Sequence, residues 1–240
     1  MSRFGQLASR MKEMFRLPNV QDIVNPAAVD KVLFDFTKSS TRTPEENTKL
    51  KSQWRMSDDS VLGGGSRGET TITDKNFLRW NGNTDTRVRD KTVKRSGFCS
   101  ILSPEFKLDL SKCNALSLTL RSNHSRNFMV NLHVDNFLPG EMYQGYLVGK
   151  TGEVGKWVTV TLPFKKFLLT SMGQVKNAQD SSLSEYEYIE RVGFTIADKE
   201  DGPFELDIEK IEGVSVARDV VEDNMEMDKT SRSERERREL

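Results

Sequence analysis

The chain has 240 residues, 35% of them hydrophobic and 30% charged, and its 36 Lys and Arg balance its 36 Asp and Glu. That length supports one sizeable core, and the charge balance excludes the electrostatic footprint of a dedicated nucleic-acid binder. No apolar run approaches the roughly 20 residues that span a bilayer, and two cysteines with two histidines and no CxxC pair fall short of a zinc set of about four ligands.

Residues 1–29 are expected to form a basic amphipathic segment and linker. Arg3, Arg10, Lys12 and Arg16 face one acid, Glu13, while Phe4, Leu7, Met11, Met14 and Phe15 follow helical spacing. This composition suits a short helix, read either as a mitochondrial transit peptide or as a helix docked on the domain; it has no h-region of a secretory signal. Residues 30–217 read as the folded domain. Strands are expected at Val32–Phe36, Phe77–Trp80 and Phe98–Leu102. Strict alternation then marks Leu116–Leu120, Phe128–Val134, Val158–Leu162, Val192–Ile196 and Phe204–Ile208. Such alternation buries one face and wets the other. Turn clusters at Leu138–Glu141, Gly149–Gly152 and Asp201–Pro203 separate the runs, so an antiparallel all-β sandwich or barrel is expected. Helix is expected to be short, around Leu183–Ile189. Residues 218–240 form a charged tail ending SRSERERREL, read as solvated.

The most distinctive stretch is Trp54–Gly68, WRMSDDSVLGGGSRG. A P-loop needs GxxxxGK[ST] between strand and helix, and no Lys follows these glycines in that register. The glycines instead suit a tight bend or bulge. Asp58 and Asp59 could bind calcium or act as an acid–base pair, but neighbours on a strand diverge. The structural alternative has Asp58 accepting hydrogen bonds from the glycine-rich backbone. Cys99 and Cys113 are read as reduced, semi-buried thiols. Neither His124 nor His133 lies near a nucleophile elbow such as GxSxG. Trp54, Trp80, Tyr143, Tyr146 and Trp157 could form a sugar platform or fill the core, with Trp157, at the head of WVTVTLPF, expected to be buried.

Six pieces in order resemble the complex I intermediate-associated protein family. They are Phe34-Asp35-Phe36; Trp54 followed by Asp58-Asp59-Ser60-Val61-Leu62-Gly63-Gly64-Gly65-Ser66; Gly97-Phe98-Cys99-Ser100-Ile101; Tyr143-Gln144; Trp157–Phe167; and Gly193–Asp198 followed by Gly202–Leu206. Gly65 and the charged segment Asn83–Arg95 depart from the pattern. The resemblance implies a galactose-binding-domain-like jelly-roll β-sandwich in a mitochondrial assembly factor of respiratory complex I, in the matrix and peripheral to the inner membrane. It implies binding to assembly intermediates and other assembly factors, with no known catalysis; no cofactor, metal site or nucleic-acid partner is expected. A carbohydrate-binding module on the same fold is the alternative. Trp54, Asp58, Asp59, Gly63, Gly64 and Ser66 are the candidates for partner binding or for shaping the loop.

Overall fold

The computed structural model describes residues 31–216 apart from 39–40, 89–95, 110–111, 136–139, 148–152, 172, 177–182, 184–185 and 187. The expectations for the N-terminal segment and the charged tail therefore lie outside the described residues, as do most of the turn clusters at 138–141 and 149–152.

Two antiparallel sheets face each other, as the alternation requires. The first has the order β10 (Val158–Pro163), β7 (Ala115–Ser122), β14 (Gly202–Val214), β4 (Leu78–Thr84) and β3 (Arg67–Ile72), with β1 (Lys31–Asp35) also paired to β14. The second runs β12 (Gln174–Val175), β11 (Leu168–Ser171), β9 (Glu141–Tyr146), β8 (Phe128–Val134), β13 (Tyr188–Ile196), β5 (Cys99–Leu102) and β2 (Arg55–Asp58), with β6 (Leu108–Asp109) on β13. Inward rows from both sheets meet in one core. Leu118, Leu120, Leu206 and Ile208 come from the first sheet and Val130, Leu132, Phe194 and Ile196 from the second, all fully buried. Trp80 of the first sheet packs against Phe128 of the second and Phe204 of its own, with centroids 5.9 and 4.9 Å apart. At another point of the core Phe34, Phe36 and Trp54 stack together.

The period of two is broken within β14. Along β14, simple alternation from Phe204, Leu206 and Ile208 would send Lys210 inward. The pairing with β7 shifts between Ile208 and Lys210, so Glu209 is the extra residue of a bulge. The shift turns Ile211 into the core instead, where it is fully buried.

Helix is where the pattern misled. Tyr188 and Ile189, expected near the end of a short helix, open strand β13. The α-helix among the described residues, α1 (Pro44–Gln53), buries no residue and so has no apolar stripe to reveal it. Its signal is chemical. Thr43 accepts from the Glu46 N–H while the Glu46 carboxylate accepts from the Thr43 N–H, a capping box with Pro44 in the first turn.

Val160, on β10 opposite Leu118, is buried at the end of the first sheet. Val160→Asp places an unpaired carboxylate there and is expected to cost about 3 kcal/mol or more. Thermal unfolding checks it, and a variant melting like wild type would remove this register.

Candidate functional site

The glycine-rich stretch forms a loop at the edge of the sandwich, between the end strand of one sheet, β2, and the end strand of the other, β3. Asp58 closes β2 and Asp59 begins a 3-10 turn, Asp59–Leu62. The two acids therefore sit at a strand-to-turn junction, and their side chains take different tasks.

Asp58 caps the turn locally. Its Oδ1 accepts from the Ser60 N–H at 3.0 Å and also from the Ser60 hydroxyl. Asp59 organises the whole loop and is fully buried. Its Oδ1 accepts from the Ser66 N–H at 2.8 Å. Its Oδ2 accepts from the Ser66 hydroxyl at 2.8 Å and from the Gly97 N–H at 2.5 Å. Its carbonyl accepts from the Gly64 N–H at 2.8 Å, and its own N–H donates to the Phe98 carbonyl at 3.3 Å. The role that sequence reasoning gave to Asp58 as acceptor for the glycine-rich backbone thus falls to Asp59. The reason is geometric: the 3-10 turn swings Asp59 inward, over the returning chain, once the strand has ended.

The glycines differ in what they do. Gly63 takes φ +86°, which a β-branched residue resists. Gly64 has room for nothing more, since a Cβ there would lie 2.2 Å from Cγ of Asp59. Ser66 passes the network on, its hydroxyl accepting from the Asp85 N–H at 3.0 Å. Asp85 in turn takes Arg87 in a two-pronged pair, at 2.8 and 2.7 Å. Trp54, named with these residues in the sequence, is buried in the aromatic cluster with Phe34 and Phe36, away from the loop network.

The loop's acids offer little to a metal ion or a nucleophile. Among the described residues no group of three His, Cys, Asp or Glu side chains is placed to hold a metal. Cys99, beside the loop, is a free and fully buried thiol whose pKa is pushed up to about 12 by burial and by Asp58 and Asp59. Burial, and then Arg191, lowers the pKa of His133 and favours the neutral imidazole. Cys113 is likewise a buried thiol outside any disulfide, deeper than a semi-buried reading implies.

The aromatic candidates divide. Trp54, Trp80 and Tyr143 are buried in the core, but Trp157 is 37% exposed, against expectation. β10 begins one residue later, at Val158, and Trp157 lies over the Arg121 guanidinium, 4.6 Å from its ring centroid, and against Phe77. Arg79 and Arg121 are both held by Asp207, which is fully buried between them. Phe77, Arg79, Arg121 and Trp157 border a hollow of 420 Å³ on the outer face of the first sheet. Its lining sets Lys75, Arg79 and Arg121 against Asp74 and Glu209.

What sequence reasoning missed at the loop are its distant supports, Asp85 and Gly97, and the exposure of Val61 and Leu62. Gly97 was visible in the Gly-Phe-Cys-Ser motif. Its pairing with Asp59, 38 residues away, was not.

The family described as Complex I intermediate-associated protein 30 (CIA30) matches residues 34–208, from β1 to β14. A mouse protein named complex I intermediate-associated protein 30, mitochondrial, is 30% identical over 172 residues, covering 66% of this chain and 51% of the mouse protein. A Drosophila melanogaster protein of the same name is 25% identical over 217 residues, covering 84% of this chain and 68% of that one. The match therefore spans about half the length of the mouse relative. Among solved structures, a family 11 carbohydrate-binding module from Clostridium thermocellum, in complex with a mixed-linked tetrasaccharide, superposes with TM-score 0.52. It is 19% identical and covers 79% of this chain and 97% of that one. The family 11 module of the cellulosomal cellulase Lic26A-Cel5E gives TM-score 0.50 at 18% identity, covering 80% and 96%. At these identities the likeness shows the fold alone: a β-sandwich of the galactose-binding type.

Proposed function

The chain belongs to the complex I intermediate-associated protein 30 (CIA30) family, and on that premise we propose that it serves the assembly of mitochondrial respiratory complex I by binding assembly intermediates. The observation that carries this reading is the family match over residues 34–208, which takes in the sandwich from its first strand into its last. The names of the mouse and fly relatives point to the mitochondrion and to complex I intermediates. We place the chain in the matrix, attached to the inner membrane peripherally or through partners that include other assembly factors. No helix among the described residues is long and apolar enough to cross a membrane, which suits that attachment.

Binding, rather than catalysis, is the proposed mode of action. Cys99 is fully buried and its thiol is held protonated by burial and by Asp58 and Asp59, the opposite of an activated nucleophile. The loop residues Asp58, Asp59, Gly63, Gly64 and Ser66 are proposed to serve binding by shaping the surface they carry, and Trp54 by supporting the core behind it. In cells lacking this protein, the tagged chain is expected to co-migrate with partly assembled complex I on native gels and to restore the mature complex. Normal complex I in its absence, with no co-migration, would overturn the reading.

A further inference from the structure

The hollow on the outer face of the first sheet has one wall fixed from beneath. Asp207, fully buried, accepts from Arg79 at 2.8 and 3.0 Å and from Arg121 Nε at 3.0 Å, and Glu205 pairs with Arg79 at 2.9 Å. Cζ of Arg121 then lies 4.6 Å from the ring centroid of Trp157 and 5.1 Å from that of Phe77, and Cζ of Arg79 lies 5.3 Å from that of Phe77. Guanidinium planes stack on aromatic rings, so Trp157 is held in place before any ligand arrives, which lowers the entropic cost of binding. Phe77 disappears into this packing at 5% exposure, whereas Trp157 remains 37% exposed.

Polar side chains with no internal task surround the indole. Asp74 and Lys75 are exposed on the turn between β3 and β4, and the bulge in β14 leaves Glu209 lining the hollow. Among the described residues, no hydrogen bond or ion pair engages the side chains of Asp74, Lys75 and Glu209 or the indole N–H of Trp157. The hollow therefore offers two carboxylates as acceptors, and an ammonium and an indole N–H as donors, beside a rigid apolar ring. Its 420 Å³ falls within the range of small-molecule sites.

The charge pattern decides the class of ligand. Arg79 and Arg121 are already paired with Asp207 and Glu205, so an anion would meet one unpaired ammonium against two unpaired carboxylates. A cation would sit beside two guanidinium groups that already lie over the aromatic rings. A neutral polyhydroxylated ring uses every group. Each hydroxyl both donates and accepts, and the C–H face of the ring covers the indole.

We propose that this hollow binds a neutral sugar unit. Its C–H face lies on Trp157, its hydroxyls donate to Asp74 and Glu209, and Lys75 and the indole N–H donate to its oxygens. The site stands apart from the assembly reading, so failure of either leaves the other in place.

Cellotetraose, maltotetraose and mannotetraose are the probes, each titrated into the full chain to about 10 mM by calorimetry. At least one is expected to bind with Kd of roughly 0.1–1 mM. Trp54 and Trp80 are buried, so acrylamide quenching of the intrinsic fluorescence reads chiefly Trp157. Bound sugar is expected to reduce that quenching about twofold. Trp157→Ala is expected to weaken binding roughly tenfold. Asp74→Asn combined with Glu209→Gln alters side chains without partners. That double variant is expected to melt within about 2 °C of wild type and to bind roughly tenfold more weakly or worse. If Trp157→Ala fails to fold, the double variant decides. Absence of saturable binding by all three sugars overturns the proposal, as does undiminished binding in the folded double variant. Tetralysine that binds more tightly than every sugar would make the occupant a basic peptide and overturn it too.

Discussion

Asp59→Ala is expected to cost about 3–5 kcal/mol of stability, a loss measurable by urea or thermal unfolding. The residue is fully buried, and its carboxylate is the acceptor for the Ser66 N–H, the Ser66 hydroxyl and the Gly97 N–H. Truncation leaves those donors without an acceptor in a site closed to water. Each orphaned group costs about 1–3 kcal/mol, and the three do not add fully because the loop can relax. Asp59→Asn separates shape from charge. The amide keeps the size and one acceptor oxygen, but its NH2 must face a donor that the second carboxylate oxygen now receives. It is therefore expected to fall between wild type and Ala. A second consequence is local. Without the Asp59 carboxylate only the 3.3 Å bond from its backbone N–H to the Phe98 carbonyl ties the 3-10 turn to the Gly97 segment, so the turn is held less firmly. An Ala variant within about 1 kcal/mol of wild type would remove Asp59 from its organising role.

Much of the fold could be read from the chain because its signal is local. Leu116–Leu120 and Phe128–Val134 alternate strictly, and the structure places their apolar members inside. The short strands β2 and β3 were harder, since they are edge strands with exposed residues and no full apolar row, and β11 has only four residues. Helix α1 escaped a search for periodicity for the same reason, although Thr43-Pro44-Glu45-Glu46 announces its start. Trp157 misled because an aromatic at the head of an apolar strand is usually buried. Here Arg121 comes from the neighbouring strand to cover the indole face. At the candidate site, glycines and paired acids drew attention to the right stretch. Which acid did the organising depended on a turn that only the folded chain reveals. The same holds for Ser66, whose partner Asp85 lies 19 residues on. Least legible of all was Arg126, which in sequence is one more charge in a polar segment.

Arg126→Ala is expected to rank with Asp59→Ala, at about 3–5 kcal/mol. Its guanidinium is buried, with the side chain 6% exposed, and its partner Asp198 is 3% exposed. The fork grips Asp198 through Nε and Nη2, both at 2.7 Å. The remaining N–H groups reach Thr84 Oγ1 at 2.8 Å and the carbonyls of Glu200, Gly202 and Pro203 at 2.8, 3.1 and 3.0 Å. One side chain thus fastens the β13–β14 turn to the end of β4, next to Thr86, which binds Asp201 of that same turn. Loss of Arg126 leaves the buried Asp198 carboxylate without its counter-ion, held only by the Asn127 and Glu200 N–H groups. It also takes a donor from three carbonyls, of which those of Glu200 and Gly202 keep the Thr84 hydroxyl. Arg126→Lys keeps the charge but not the fork, so it is expected to recover less than half of the loss. A pH series distinguishes this ion pair from simple packing. Burial alone would raise the Asp198 pKa, but the Arg126 hydrogen bond, the Asn127 N–H and the Arg126 charge overcome it and leave it lowered. A lowered folded-state pKa contributes stability above the unfolded carboxylate value, and that stability is lost as pH falls through the folded value. In the Ala variant the buried, unpaired carboxylate has its pKa raised instead, so protonation relieves it. The stability gap between wild type and Arg126→Ala should therefore narrow as pH falls into the carboxylate range. A gap that stays constant from neutral pH into that range would mean that Arg126 acts through packing and carbonyl bonds alone, and the ion-pair account would fail.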